Sequence, residues 1–223
     1  MVLMSLVAPI QSKLLNEAAR CALKPLGLFQ KGRSRTWLDD RGWWLGVVEF
    51  QPSSWSEGSY LNVGCMWLWN VKDHISFDEG FRVSPFSLFT DEKQFRSAAE
   101  QLAQHAAHEV DRYRSLFPDL AAVANYYHRH PPESFWPNFN AAVVCALAGQ
   151  QDDAQRFFRR VVEPKDDDRN WVLTAQADAE HLRLLAPFTD RFRKTIAERI
   201  LQTREHLRLP PVSHITFEHS LGV

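Results

Sequence analysis

Four residues around one predicted loop carry side chains suited to recognition: Gln51, Trp55, Tyr60 and Asn62. Trp55 lies in the loop-forming run 52–58, where a hydrophobic core does not dictate an aromatic residue. The other three lie at the ends of predicted strands on either side of this loop. Their positions allow the four to converge at one end of a sheet, where aromatic rings and amides can hold a ligand or a protein partner. The alternative is that Trp55 folds back over the sheet end.

A second group with binding chemistry is basic. Lys31, Arg33 and Arg35 alternate along the chain beside Trp37, and this spacing places them on one face of a predicted strand. Cations next to an aromatic ring can bind phosphate or single-stranded nucleic acid. The same pattern is typical of a charged edge strand that resists pairing. The net charge of −1 gives no support for nucleic-acid binding.

Two histidines share a face of a predicted helix, because His105 and His108 are three residues apart. Glu109 follows them directly. A zinc site needs further ligands, and none occurs at diagnostic spacing. The sequence therefore predicts no metal and no cofactor.

The sequence contains no recognisable catalytic motif. The GxSxG, Walker and GxGxxG patterns are absent, as are HExxH and CxxC. Three consecutive acids, Asp166 to Asp168, and a helical basic stripe of Arg156, Arg159 and Arg160 are expected to face water or to form ion pairs. We predict no catalytic residue, although an enzyme is not excluded.

The elements that must position these groups begin with strands rich in tryptophan. Six of the eight tryptophans lie between residues 37 and 69, and strands are predicted at 28–31, 34–38, 43–51 and 60–71. Their short turns indicate an antiparallel meander. Trp67 and Trp69 are predicted on the core face of the longest strand, and Trp43 and Trp44 on opposite faces of another. Both faces of the sheet are apolar, so helices or a partner must cover both.

Helices flank this sheet on both sides in the sequence. Leu14, Leu15, Ala18, Ala19 and Ala22 recur at helical spacing in an N-terminal helix over 11–23. Asp91 is a predicted N-cap for a long helix over 95–116. Further helices are predicted at 120–130, 136–148, 152–162, 170–185 and 189–207, separated by proline or glycine.

Composition and cysteine usage indicate the cellular compartment in which the protein occurs. Apolar residues make up 45% of the 223 residues and charged residues 24%, which is typical of a globular protein. The three cysteines are far apart and lie in apolar patterns, which indicates free thiols in a reducing compartment. Residues 1–10 lack a basic region and a cleavage site, and no apolar run approaches a membrane span. We expect a cytoplasmic protein without membrane association.

Three short motifs follow one another in a recognisable order: Leu23–Trp37, Val47–Trp55 and Tyr60–Gly64. Together they resemble the bacterial domain-of-unknown-function family 4304 over about residues 10–130. One departure is Leu28-Phe29, where the family pattern has Gly-Phe. The resemblance implies a helix packed on an antiparallel sheet. It implies no established activity.

A second resemblance concerns the helices at about residues 136–162. Ala142, Gly149, Ala154, Phe158 and Val161 follow the spacing of a single tetratricopeptide-like hairpin. Small residues let two helices approach closely, and Phe158 fills the space between them. One such unit cannot form a solenoid, so we expect a local packing solution.

These observations predict an α+β protein with an N-terminal helix packed on a small antiparallel sheet, followed by an α-helical domain. The predicted domains are 1–88 and 89–208, with an extended tail at 209–223. The expected function is a non-catalytic, intracellular, bacterial protein-binding module, by analogy of an accessory, immunity or defence type. The alternative is a small-molecule or nucleotide-binding protein, or an enzyme, with an aromatic pocket at the sheet end.

Overall fold

The computed structural model describes residues 10–163 and 169–217, and these form two compact units. The described part of the first unit is residues 10–66 and 79–113. That of the second is 67–78, 114–163 and 169–217. The chain has an N-terminal helix, an antiparallel sheet and then several helices, so the predicted α+β class is confirmed. The predicted domain division at residue 88 stays a prediction.

The N-terminal helix α1 spans Ile10–Leu23 and is amphipathic as predicted. Its buried side chains include Leu14, Leu15 and Ala19, which recur at helical spacing. A short 3₁₀ turn with Pro25 follows, and the chain then reverses at Gly27. Gly27 adopts a positive φ of 88°, and its N–H donates to the carbonyl of Lys24.

The sheet of the first unit is an antiparallel meander with the strand order β1-β2-β3-β4-β5. A sixth strand, β6, also pairs with β4, and it does so at the start of that strand. The strands span Phe29–Gln30 (β1), Thr36–Asp40 (β2), Trp44–Gln51 (β3), Gly58–Trp67 (β4), Glu79–Arg82 (β5) and Ser87–Leu88 (β6).

The two faces of the sheet differ near the end of β3. Trp37 lies opposite Val48 across β2 and β3, and both side chains are buried. The neighbouring pair on the other face, Thr36 and Glu49, is only half-buried. Leu38 and Val47, the next pair on the face of Thr36 and Glu49, are buried, so the prediction that both faces carry apolar side chains is confirmed. Along β3, polar side chains on that face are confined to the end of the strand.

Five of the six tryptophans between residues 37 and 69 are buried. Trp43 precedes β3 and lies in the turn, one residue outside the strand on which it was predicted. That Trp43 and Trp44 face opposite sides of the sheet stays a prediction. The strand β4 ends at Trp67, so Trp69 lies beyond the strand on which it was predicted. The rings of Trp67 and Trp69 are nevertheless stacked, with centroids 5.2 Å apart.

Side-chain hydrogen bonds hold the segment 67–78 within the second unit. The indole N–H of Trp69 and the amide of Asn70 both donate to Asn140 Oδ1, at 3.0 and 2.8 Å. Arg199 Nε donates to the carbonyl of Trp69 at 2.9 Å, while its two terminal nitrogens bind Asp178 at 2.7 Å each. These bonds satisfy polar groups that the burial of Trp69 removes from water.

The helices follow the predicted pattern closely. Asp91 Oδ1 accepts the N–H of Gln94, and Asp119 Oδ1 accepts that of Ala122, so both acids cap helix N-termini. The chain turns at Gly149, with a φ of 80°, between the fourth and fifth helices. The helices span Glu92–Leu116 (α2), Leu120–Arg129 (α3), Phe135–Leu147 (α4), Gln151–Val162 (α5), Asn170–Leu185 (α6) and Thr189–His206 (α7).

The remaining predictions concern the ends of the chain. Among the described residues, no helix is long and apolar enough to cross a lipid bilayer. Residues 209–217 contain no helix or strand, and Pro210 accepts a hydrogen bond from Arg204 Nη2. Residues 1–9, the acids 166–168 and residues 218–223 lie outside the described residues.

Candidate functional site

Trp55 is the most exposed large apolar side chain of the described residues, with 95% of its surface open. It lies in the loop that joins β3 to β4. The Ser53 hydroxyl accepts the backbone N–H of Trp55 at 3.1 Å, which forms a local turn. Trp55 therefore does not fold back over the sheet, and its indole faces water from a shaped loop.

A shallow depression of about 250 Å³ adjoins Trp55, and Arg35 lies in its wall. The guanidinium donates twice to Ser12 Oγ, at 2.6 and 3.1 Å, and once to the carbonyl of Gly58 at 3.3 Å. Burial lowers the pKa of Arg35. Because these bonds join α1, the β1–β2 turn and the end of the Trp55 loop, Arg35 fixes the base of that loop.

The other two predicted basic residues do not share a strand face with Arg35. Lys31 and Arg33 lie in the turn between β1 and β2, where Ser34 donates to the carbonyl of Lys31. Burial lowers the pKa of Lys31. The expected alternation on a strand is wrong because β1 is only two residues long. Only Arg35 lines the depression next to Trp55.

Gln51, Tyr60 and Asn62 do come together, and the residue that joins them is Arg82 on β5. The Arg82 guanidinium lies 3.8 Å from the Tyr60 ring centroid and donates to Gln51 Oε1 at 3.0 Å. Asn62 Nδ2 donates to Gln51 Oε1 at 2.9 Å and to Glu49 Oε2 at 3.0 Å. Arg82 was missed in the sequence because its strand is four residues long and shows no periodicity.

This polar group forms a hydrogen-bonded network of half-buried side chains at the end of β3 and the start of β4. Gln51 and Asn62 direct their amides to each other and to charged neighbours, and Tyr60 packs between Arg82 and Phe86. Neither amide lines the depression beside Trp55. The predicted four-residue convergence therefore separates into a polar network and an exposed tryptophan.

A second exposed aromatic surface occurs in the second unit. Trp136 is 39% exposed and Trp171 is 45% exposed, and their rings lie nearly parallel with centroids 6.3 Å apart. Lys72 Nζ lies 5.9 Å from the Trp136 ring, and the Arg169 guanidinium lies 5.0 Å from that of Trp171. These are the two tryptophans outside the 37–69 stretch. The sequence predicted both tryptophans at the starts of helices, and this position was the only indication that they could be exposed.

The histidine pair considered for metal binding lies on an exposed face of α2. His105 and His108 are both exposed, and His108 Nδ1 lies 3.7 Å from Glu109 Oε1. Within the described ranges, no three His, Cys, Asp or Glu side chains are grouped closely enough to hold a metal ion.

No model of a known protein family matches the chain, and no curated protein or solved structure matches it either. The resemblances to family 4304 and to a tetratricopeptide-like hairpin stay predictions. The fold and the geometry of the side chains are therefore the basis for a functional proposal.

Proposed function

We propose that this protein is an intracellular, non-catalytic protein-binding module that uses Trp55 as an anchor. The observation that carries the proposal is the 95% exposure of Trp55 in a loop of defined conformation. Tryptophan is enriched among the residues that dominate binding energy at interfaces. The three free cysteines support a reducing compartment.

The energetic case rests on the size of the indole. Burying a large aromatic side chain removes roughly 150–250 Å² from water. At about 25 cal/mol per Å², this corresponds to roughly 4–6 kcal/mol. Arg35 ties the base of the loop to α1 and to Gly58, so less conformational freedom is lost on binding.

The nearby polar network favours a structural role over chemistry. The Gln51 and Asn62 amides form hydrogen bonds with Arg82 and Glu49. Bonds of this kind fix neighbouring strands to one another. A partner that meets Trp55 would find an aromatic anchor rimmed by loop hydroxyls and by Arg35. This arrangement is typical of a protein-recognition surface.

The test introduces a photoreactive phenylalanine analogue at position 55 of the full chain, in cells that naturally make the protein. We expect irradiation to link a defined protein at position 55. The matched control carries the analogue at Arg33, which is exposed in the same unit but lies outside the depression. The same partner should be lost on purification with Trp55→Ala.

Two results would contradict the proposal. One is that positions 55 and 33 link the same set of proteins. The other is that Trp55→Ala retains the partner while its circular dichroism matches that of the natural chain. A parallel Trp136→Ala variant shows whether the aromatic surface of the second unit takes part.

A further inference from the structure

A cavity of about 260 Å³, half open to solvent, lies in the second unit between the end of α3 and the side of α5. Tyr127, Pro131 and Phe157 supply its apolar walls. Two arginines and one histidine supply the polar lining: Arg156, Arg160 and His128. Its volume is slightly below the roughly 300 Å³ at which drug-sized sites begin, so it suits a ligand with a single ring.

The two arginines flank one aromatic ring. Arg156 and Arg160 are four residues apart on α5, so they share a face of the helix. Their guanidinium carbons lie 5.1 and 5.6 Å from the centroid of the Phe157 ring. A guanidinium that packs against a ring keeps its N–H donors available at its edge.

Asp153 holds Arg156 and His128 in place at this cavity. Asp153 Oδ1 binds Arg156 Nη2 at 2.6 Å, and Asp153 Oδ2 lies 3.2 Å from His128 Nε2. Gln150 Oε1 lies 3.0 Å from the same nitrogen, so two oxygen acceptors place the His128 proton on Nε2. Across residues 10–163 and 169–217, Arg160 forms no ion pair. The Asp153 carboxylate therefore pairs with Arg156 and His128, and Arg160 adds a second guanidinium to the cavity lining.

We propose that this cavity binds an aryl phosphate, with the ring against Pro131 and the phosphate on Arg156 and Arg160. A carboxylate is saturated by one guanidinium fork, whereas a phosphate has three acceptor oxygens and up to two charges. Two adjacent arginines therefore match phosphate better. The apolar walls require that the phosphate be attached to a ring. The site is separate from Trp55 and does not depend on the proposed function.

The test titrates phenyl phosphate into the full ¹⁵N-labelled chain and follows the side-chain Nε–H signals of Arg156 and Arg160. We expect saturable shifts of both signals. Arg160→Gln should weaken binding tenfold or more, which corresponds to about 1.4 kcal/mol. The matched control is Arg159→Gln on the same turn of α5. Arg159 is exposed and donates to the carbonyl of Gln155, outside the cavity, so binding should be unchanged.

A second titration shows whether the aryl phosphate belongs to a protein segment or to a small molecule. A phosphotyrosine peptide that binds more tightly than phenyl phosphate assigns the site to a protein segment, and weaker or equal binding assigns it to a small molecule. The proposal is overturned if phenyl phosphate gives no saturable shift. It is overturned equally if inorganic phosphate binds as tightly as phenyl phosphate, or if Arg159→Gln weakens binding as much as Arg160→Gln.

Discussion

Replacing Asn140 with leucine tests whether hydrogen bonds hold the segment 67–78 in the second unit. Asn140 Oδ1 accepts from Trp69 Nε1 and from Asn70 Nδ2, and all three side chains are buried. Leucine has nearly the same shape as asparagine but accepts no hydrogen bond. The substitution therefore removes the shared acceptor and leaves the packing nearly unchanged.

The expected magnitude follows from the polar atoms that change partners. A buried donor that loses its acceptor costs about 1–3 kcal/mol, so two donors cost about 2–6 kcal/mol. Asn140 Nδ2 is itself buried without a hydrogen-bond partner among the described residues, and leucine removes this group as well. Its removal offsets about 1–3 kcal/mol. We therefore expect a net loss of about 1–3 kcal/mol in the free energy of unfolding.

The measurement is equilibrium urea unfolding, followed by tryptophan fluorescence and by far-ultraviolet circular dichroism. The matched control is Asn125→Leu, which places the same change on an exposed position of α3. That variant should stay within about 0.5 kcal/mol of the natural chain. An Asn140→Leu variant as stable as the natural chain would refute the reasoning, because the shared acceptor would then contribute nothing.

Three further predictions use single substitutions or a single reagent. Gly58→Ala should lower stability more than Gly32→Ala, because a Cβ at Gly58 would meet the backbone of β6, whereas Gly32 borders open space; urea unfolding of both variants decides this. An aromatic thiol reagent should modify only Cys21 in the native protein at pH 8, since burial raises the pKa of the Cys145 thiol to about 12; mass spectrometry that finds Cys145 modified would contradict this. Trp55→Ala should change the unfolding free energy by no more than about 0.5 kcal/mol, since its side chain is exposed; a larger loss in calorimetry would show a hidden contact.

Periodicity made the long elements predictable. The helix α2 was expected over 95–116 and extends over Glu92–Leu116, because its apolar side chains recur at helical spacing along its whole length. In contrast, the sequence placed Trp55 in a loop but did not predict whether its side chain is exposed. Local pattern reports the type of an element more reliably than the environment of a single side chain.

The missed features depend on residues that are far apart in the sequence. The strand β5 has four residues, too few to show alternation, so Arg82 could not be placed beside Gln51. The residues that follow β4 bind side chains far along the sequence: Asn70 binds Asn140, 70 positions later, and Trp69 binds Arg199, 130 positions later. No window of neighbouring residues contains that information.

The order of the second unit along the chain has a consequence for synthesis on the ribosome, because its segment 67–78 precedes the rest of the unit. Trp69 is made about 130 residues before Arg199, whose side chain binds its carbonyl. At roughly 5–20 residues per second, the carbonyl of Trp69 waits about 7–26 s for the Arg199 side chain that binds it. During that interval Trp69 lacks part of the surroundings that bury it in the folded chain, and exposed apolar side chains of this kind favour aggregation. Slow translation of residues 70–200 would lengthen the exposure and lower the yield of folded protein.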